Sequence, residues 1–206
     1  MAQTTDGTTG SGEPAQKQIL KKYLNESREA LLWKLEGLTE KQARWPLVPS
    51  GNNLLGLVKH CANTEIGYLG TTFGREWPDP EELVSDQALD EDPQADWYAT
   101  ANESIASVSD LYRRSWAFCD ETIDLLPLDT VGRVPWWGDR EVTLFQIIVH
   151  VTNENARHAG HADILRELTD KSVGLVAGNT NIPDWQAGEA AVYIDKLKNL
   201  AERAGN

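Results

Sequence analysis

This chain of 206 residues is short of basic side chains, short of cysteine and without any long apolar run. Its 19 Lys and Arg stand against 32 Asp and Glu, a formal net charge of -13. Nucleic-acid binders gain most of their affinity by neutralising phosphates with a basic patch, so the charge argues against nucleic acid and against an anionic membrane surface as partners. The deficit is concentrated: between Arg75 and Arg113 there is no Lys or Arg, and eleven acidic residues fall there. No stretch of about 18 apolar residues could span a bilayer. The opening MAQTTDGTTGSGEP has neither the basic end nor the apolar segment of a secretory signal. Cys61 and Cys119 make no disulfide framework, and each falls inside an apolar helical pattern as a small core residue. These absences together point to a soluble cytoplasmic protein.

What is present is helical periodicity. Forty per cent of the residues are hydrophobic, enough for a sizeable core. Residues 1–13, rich in Thr, Gly and Ser, read as a disordered tail, and residues 14–206 as a single domain. A first helix is expected from Pro14 to Leu38, and Thr39 to Gln42 reads as a capping box opening a single turn. A second helix begins at Asn52 or Asn53 and runs to Phe73. A long acidic connection follows to Pro93. A third helix is expected from Asp96 to Leu126, with Trp97, Ala101, Ile105, Val108, Tyr112, Trp116, Cys119, Ile123 and Leu126 along one stripe. The segment GRVPWWGD breaks the chain without a strand signal, and a fourth helix runs from Thr143 to Thr169. A last helix, about residues 186–203, follows a Gly-containing link. The pattern predicts an all-α four-helix bundle with an additional C-terminal helix.

The fourth helix interrupts its own apolar face. The stripe Leu144, Ile147, Val151, Glu154, His158, His161, Leu165, Leu168 is apolar at both ends and carries a carboxylate and two imidazoles in the middle, with His150 beside it. A buried carboxylate without a partner costs several kcal/mol, so Glu154 needs one. One solution is a polar network in which histidines or Arg157 satisfy it. The other is a divalent metal held by Glu154 and a histidine one turn away. His150 and His158 are too far apart along the axis to share one ion, and spacing does not choose between them. A further ligand must come from another helix. His60 lies at the margin of the second helix's apolar face, and Cys61, better placed on that face, is the rival.

The stretch LLGLVKHCANTE, followed about 90 residues later by HVTNENARHAGHADILRE, resembles the DinB-like metalloprotein superfamily. Within it, the likeness is to the branch of mycothiol-dependent maleylpyruvate isomerase and related thiol transferases, and it covers Pro14 to Asp170. The resemblance implies up-down-down-up connectivity, with the acidic link as the crossover. It implies a metal held by His60, Glu154 and His158, which leaves His150 and His161 in supporting or pocket roles. Two imidazoles and one carboxylate suit zinc, nickel or iron, zinc first, and leave positions open for water or a thiol. A low-molecular-weight thiol such as mycothiol and a small electrophile are the implied partners, with His161, Arg157 and Tyr112 as substrate-binding candidates. The resemblance also makes a homodimer plausible, for which the chain carries no motif. About 36 residues follow Asp170, too few for the isomerase's additional domain, so transfer is expected ahead of maleylpyruvate isomerisation. A non-catalytic metal- or ligand-binding bundle and a thiol-dependent isomerase are the alternatives.

Overall fold

The computed structural model describes residues 12–204, and most of the expected N-terminal tail, residues 1–11, lies outside them. Contacts divide the chain into two units, residues 1–173 and 174–206. The first unit is built on four long helices. Helix α1 (Glu13–Trp33) has Pro14 in its first turn, where the missing N–H costs nothing. It stops short of the expected Leu38, and Gly37 takes φ +74° in the turn that follows. Helix α2 (Glu40–Arg44) is the single turn opened by the Thr39–Gln42 capping box, both halves of which form.

Helix α3 (Leu54–Leu69) is capped by Asn53, whose side-chain oxygen accepts from the Gly56 N–H at 2.8 Å. A short helix, α4 (Asp86–Glu91), interrupts the acidic connection. Helix α5 (Ile105–Leu125) begins well after the expected Asp96, because Ser104 and Ser107 form a reciprocal capping box there. Trp97 and Ala101 therefore belong to a strap of turns, not to the helical stripe. Two four-residue strands, β1 (Val131–Val134) and β2 (Arg140–Thr143), form an antiparallel hairpin where only a chain break was expected. Gly132 and Val134 point inward from β1, an alternation too short to stand out in the sequence. Helix α6 (Leu144–Asp170) is capped by Thr143, whose hydroxyl accepts from the Gln146 N–H.

Within this unit α3 packs against both α5 and α6, and α1 against α6. Leu24, Leu69, Cys119, Ile123, Leu144, Ile147, Ile148 and Val151 join with Leu128, Val134 and Val142 of the hairpin region in one core. Each such buried side chain contributes about 1.5–3 kcal/mol relative to exposure. Cys61 and Cys119 are both free and buried, as expected of small core residues. Leu168, expected on the inward stripe, is exposed, and Leu165 is the last apolar residue of that stripe to be buried. The second unit carries α7 (Glu189–Arg203), with Trp185 against Tyr193 at 5.4 Å between ring centroids. No helix among the described residues is long and apolar enough to cross a membrane.

Candidate functional site

Two polar clusters lie in the helical core of the first unit. The first was invisible to local sequence patterns. Arg28 of α1 and Glu65 of α3 are fully buried and joined by a bond of 2.6 Å from Nη2 to Oε2, with Nε donating to the same oxygen at 2.9 Å. The second face of the guanidinium reaches Asp120 of α5 at 2.8 Å and Asn25 at 2.7 Å. Asn155 of α6 donates to Glu65 Oε1 at 2.6 Å and to the Tyr112 hydroxyl at 3.3 Å. Burial alone would lower the Arg28 pKa, but the Glu65 carboxylate outweighs it and holds the guanidinium charged. Burial, then the charge of Glu65, pushes the Tyr112 phenol well above its ordinary range. Tyr112, a candidate for binding substrate, is thus placed in a closed network joining four helices.

The second cluster contains the histidines. His60 of α3 and His158 of α6 meet edge to face, with ring centroids 5.0 Å apart. Glu154, one turn before His158, sets Oε2 3.4 Å from His158 Nε2. Its side chain keeps 31% of its exposure, so the charge is less deeply buried than the apolar stripe suggests. His161 packs on His158 at 5.4 Å, and the Nδ1 atoms of both rings are buried without a hydrogen-bond partner. Burial, reinforced by the neighbouring imidazoles and Arg157, pulls the His158 pKa down to about 4, so the ring is neutral at physiological pH. Arg157 itself is exposed and makes no ion pair with Glu154 among the described residues.

Two residues of this cluster lie on the strap, and the sequence does not mark either as a site residue. Asp96 Oδ2 lies 2.6 Å from His60 Nδ1, and the Trp97 indole stacks on the His60 ring at 4.0 Å. Asp96 is one of eleven acids in an unbroken acidic stretch, and nothing local marks it. His150 is held elsewhere, between Tyr68 at 4.7 Å and Trp137 at 5.0 Å, while the Trp136 indole N–H donates to the Tyr68 hydroxyl at 3.1 Å. Burial, with the charges of Glu65, Glu154 and Asp96, pushes the Cys61 thiol well above its usual range, which makes it a poor thiolate rival to His60.

The residues fit a metal in donor chemistry, and the two imidazoles do so in separation. With bonds of about 2 Å and a ring half-width of about 1 Å, two imidazoles on one tetrahedral ion have centroids roughly 5 Å apart. His60 and His158 already stand at that separation, each from a different helix. Buried ring nitrogens without partners are what a site awaiting another group leaves behind. As the side chains stand, no three His, Cys, Asp or Glu residues among those described converge into a coordination shell. A surface groove of about 640 Å³ lies along the strap instead, walled by acids such as Glu82, Asp92 and Asp110; its Lys59 is already bonded to Glu103.

The sequence model of the mycothiol-S-transferase family matches residues 19–171, from α1 through the end of α6. The chain belongs to the mycothiol-S-transferase family. That places it in the DinB-like superfamily, in the thiol-transferase branch that the two histidine-bearing stretches resemble. All residues of both polar clusters lie within the matched segment. No curated protein matches the chain. Among solved structures, one described as a conserved protein of locus from Enterococcus faecalis superposes with a TM-score of 0.61 at 18% identity, covering 76% of this chain and 98% of that one. At that identity the likeness concerns the fold alone.

Proposed function

We propose that this mycothiol-S-transferase family member is a metal-dependent enzyme that transfers a low-molecular-weight thiol of the mycothiol kind to a small electrophile. The observation that carries the reading is the meeting of His60 with His158, beside Glu154, inside the segment matched by the family. His60, Glu154 and His158 would hold the metal, zinc being the first expectation. A bound divalent ion supplies positive charge that lowers a thiol's pKa, so that sulfur reacts as thiolate near neutral pH.

The chain's own residues then divide the remaining work. Asp96 and Trp97 hold the His60 ring in place. His161, whose Nδ1 has no partner, would take the proton that the thiol gives up on binding; the thiolate sulfur then bonds to the electrophilic carbon as the leaving group departs with its electron pair. Exposed Arg157 offers a charge at the rim for an anionic substrate group. Tyr112 contributes through the network that fixes α6, not by touching substrate. The same reading takes the four long helices as an up-down-down-up bundle, with the connection between α3 and α5 as the crossover, working as a homodimer in the cytoplasm.

Tag-free protein assayed with mycothiol and an activated aryl halide tests the function. The expected result is thiol-dependent loss of the halide that disappears in both His60→Ala and His158→Ala. Metal-loaded protein that accelerates no electrophile in a broad panel, with any thiol, would overturn it.

A further inference from the structure

The strap between α4 and α5 is fastened to α3 by bonds unrelated to the histidines. Asn53 donates to the Trp97 carbonyl at 3.2 Å, and the Lys59 ammonium donates to the Tyr98 carbonyl at 3.1 Å. Arg44 of α2 donates to the Ala99 carbonyl at 2.8 Å and the Thr100 carbonyl at 3.0 Å. Gly56 makes this approach possible: a Cβ there would sit 1.8 Å from the Trp97 carbonyl oxygen. These anchors fix the backbone next to Asp96, and the carboxylate is delivered to one side of His60.

We infer that Asp96 is a positioning residue that holds His60 in the Nδ1–H tautomer, so that Nε2 is the ring nitrogen that carries the lone pair. The Asp96 contact carries the assignment. The 2.6 Å approach of a carboxylate oxygen to Nδ1 requires the proton to lie between them. On the opposite side of the ring the Thr64 hydroxyl stands 3.4 Å from Nε2 and can serve either tautomer, so the Asp96 contact alone decides between them. Trp97, stacked with an interplanar angle of 22°, stops the ring from turning away. A carboxylate behind a ligating imidazole also raises its basicity, and losing such a partner weakens metal affinity about 10- to 100-fold. The inference deepens the metal-site reading and rests on it only for that last consequence.

The test uses the full chain and two variants, Asp96→Ala and Asp96→Asn. Nitrogen-15 NMR of the metal-free protein at pH 8 reads the tautomer, and zinc competition with a chromophoric chelator reads affinity. Wild type is expected as Nδ1–H. Asp96→Ala should lose that preference and bind zinc about 10- to 100-fold more weakly. Asp96→Asn, whose amide oxygen still accepts from Nδ1–H, should keep the tautomer and lose less affinity. Unchanged circular dichroism spectra would show that the fold is intact in each. A wild-type His60 protonated on Nε2 overturns the inference, as does an Asp96→Ala variant with wild-type tautomer or with zinc affinity within about twofold. If His158→Ala abolishes zinc binding while Asp96→Ala leaves it untouched, only this inference falls. If wild type takes up no zinc, the metal reading falls, and the tautomer measurement still decides the role of Asp96.

Discussion

Glu65 and His60 share one helix, and Asn155 and Glu154 are neighbours on another, yet the two clusters they build differ in kind. Around Glu65, charge meets charge: Arg28 is bonded on both faces, and Asn155 ties Tyr112 into the same network, although its own Oδ1 is buried without a partner. Around His158 the accounting is incomplete. Its Nδ1 and that of His161 have no partner, its nearest carboxylate oxygen is a long 3.4 Å away, and its pKa has dropped to about 4. Polar groups in one core are thus nearly satisfied in one place and left wanting in another. On the proposed function, the difference separates a cluster that holds the fold from one that an outside group completes.

The comparison can be broken most decisively at Glu65. Glu65→Ala leaves the Arg28 guanidinium buried without its main counter-charge and should cost about 3–5 kcal/mol of stability in urea denaturation. A cost below about 1 kcal/mol would mean the network is not what joins α1 to α3. His158→Ala is the counterpart on the other side. In metal-free protein the cavity it opens is partly offset by removal of an unpartnered ring nitrogen, so the cost should be about 1 kcal/mol or less. Loss comparable to Glu65→Ala would erase the distinction.

Metal removal sharpens the same contrast. With zinc at 100 times its Kd, wild type should be stabilised by about 2.7 kcal/mol over the chelated protein, and His158→Ala by nothing measurable. Glu65→Gln, which keeps the shape of the side chain and removes its charge, should lower both curves together and leave the increment intact. At the strap, Gly56→Ala forces the Trp97 carbonyl away and should cost about 1–3 kcal/mol, with zinc affinity falling in parallel. A similarly small stability effect, with none on the metal, is expected at Trp136, half-exposed and bonded to Tyr68: Trp136→Phe should cost about 1 kcal/mol for the lost hydrogen bond and leave zinc binding unchanged.

How far the sequence reaches follows the same division between local and distant physics. Asn53 and Thr143 announced their helices because a cap and the residues it serves are neighbours in the chain. The interrupted stripe on α6 made Glu154, His158 and His161 legible as a group for the same reason. Trp97 misled because its spacing to Ala101 and Ile105 is helical, while its real position is set by Asn53, far away in sequence, and by the Ser104–Ser107 cap that starts α5 late. Asp96 stayed hidden among like charges, and Arg28 and Glu65, 37 residues apart, carry no local sign of their pairing. The hairpin was missed because four-residue strands leave almost no period to read.

The central claim is that the histidine cluster, unlike the Glu65 network beside it, is completed by a metal ion. The most direct test is zinc stoichiometry by elemental analysis after equilibration of tag-free wild type, His60→Ala, Glu154→Ala and His158→Ala, each folded by circular dichroism. The account predicts about one zinc per wild-type chain and a loss in every variant, near-complete for the two histidines. Folded wild-type protein without zinc, or His158→Ala retaining a full equivalent, would contradict it.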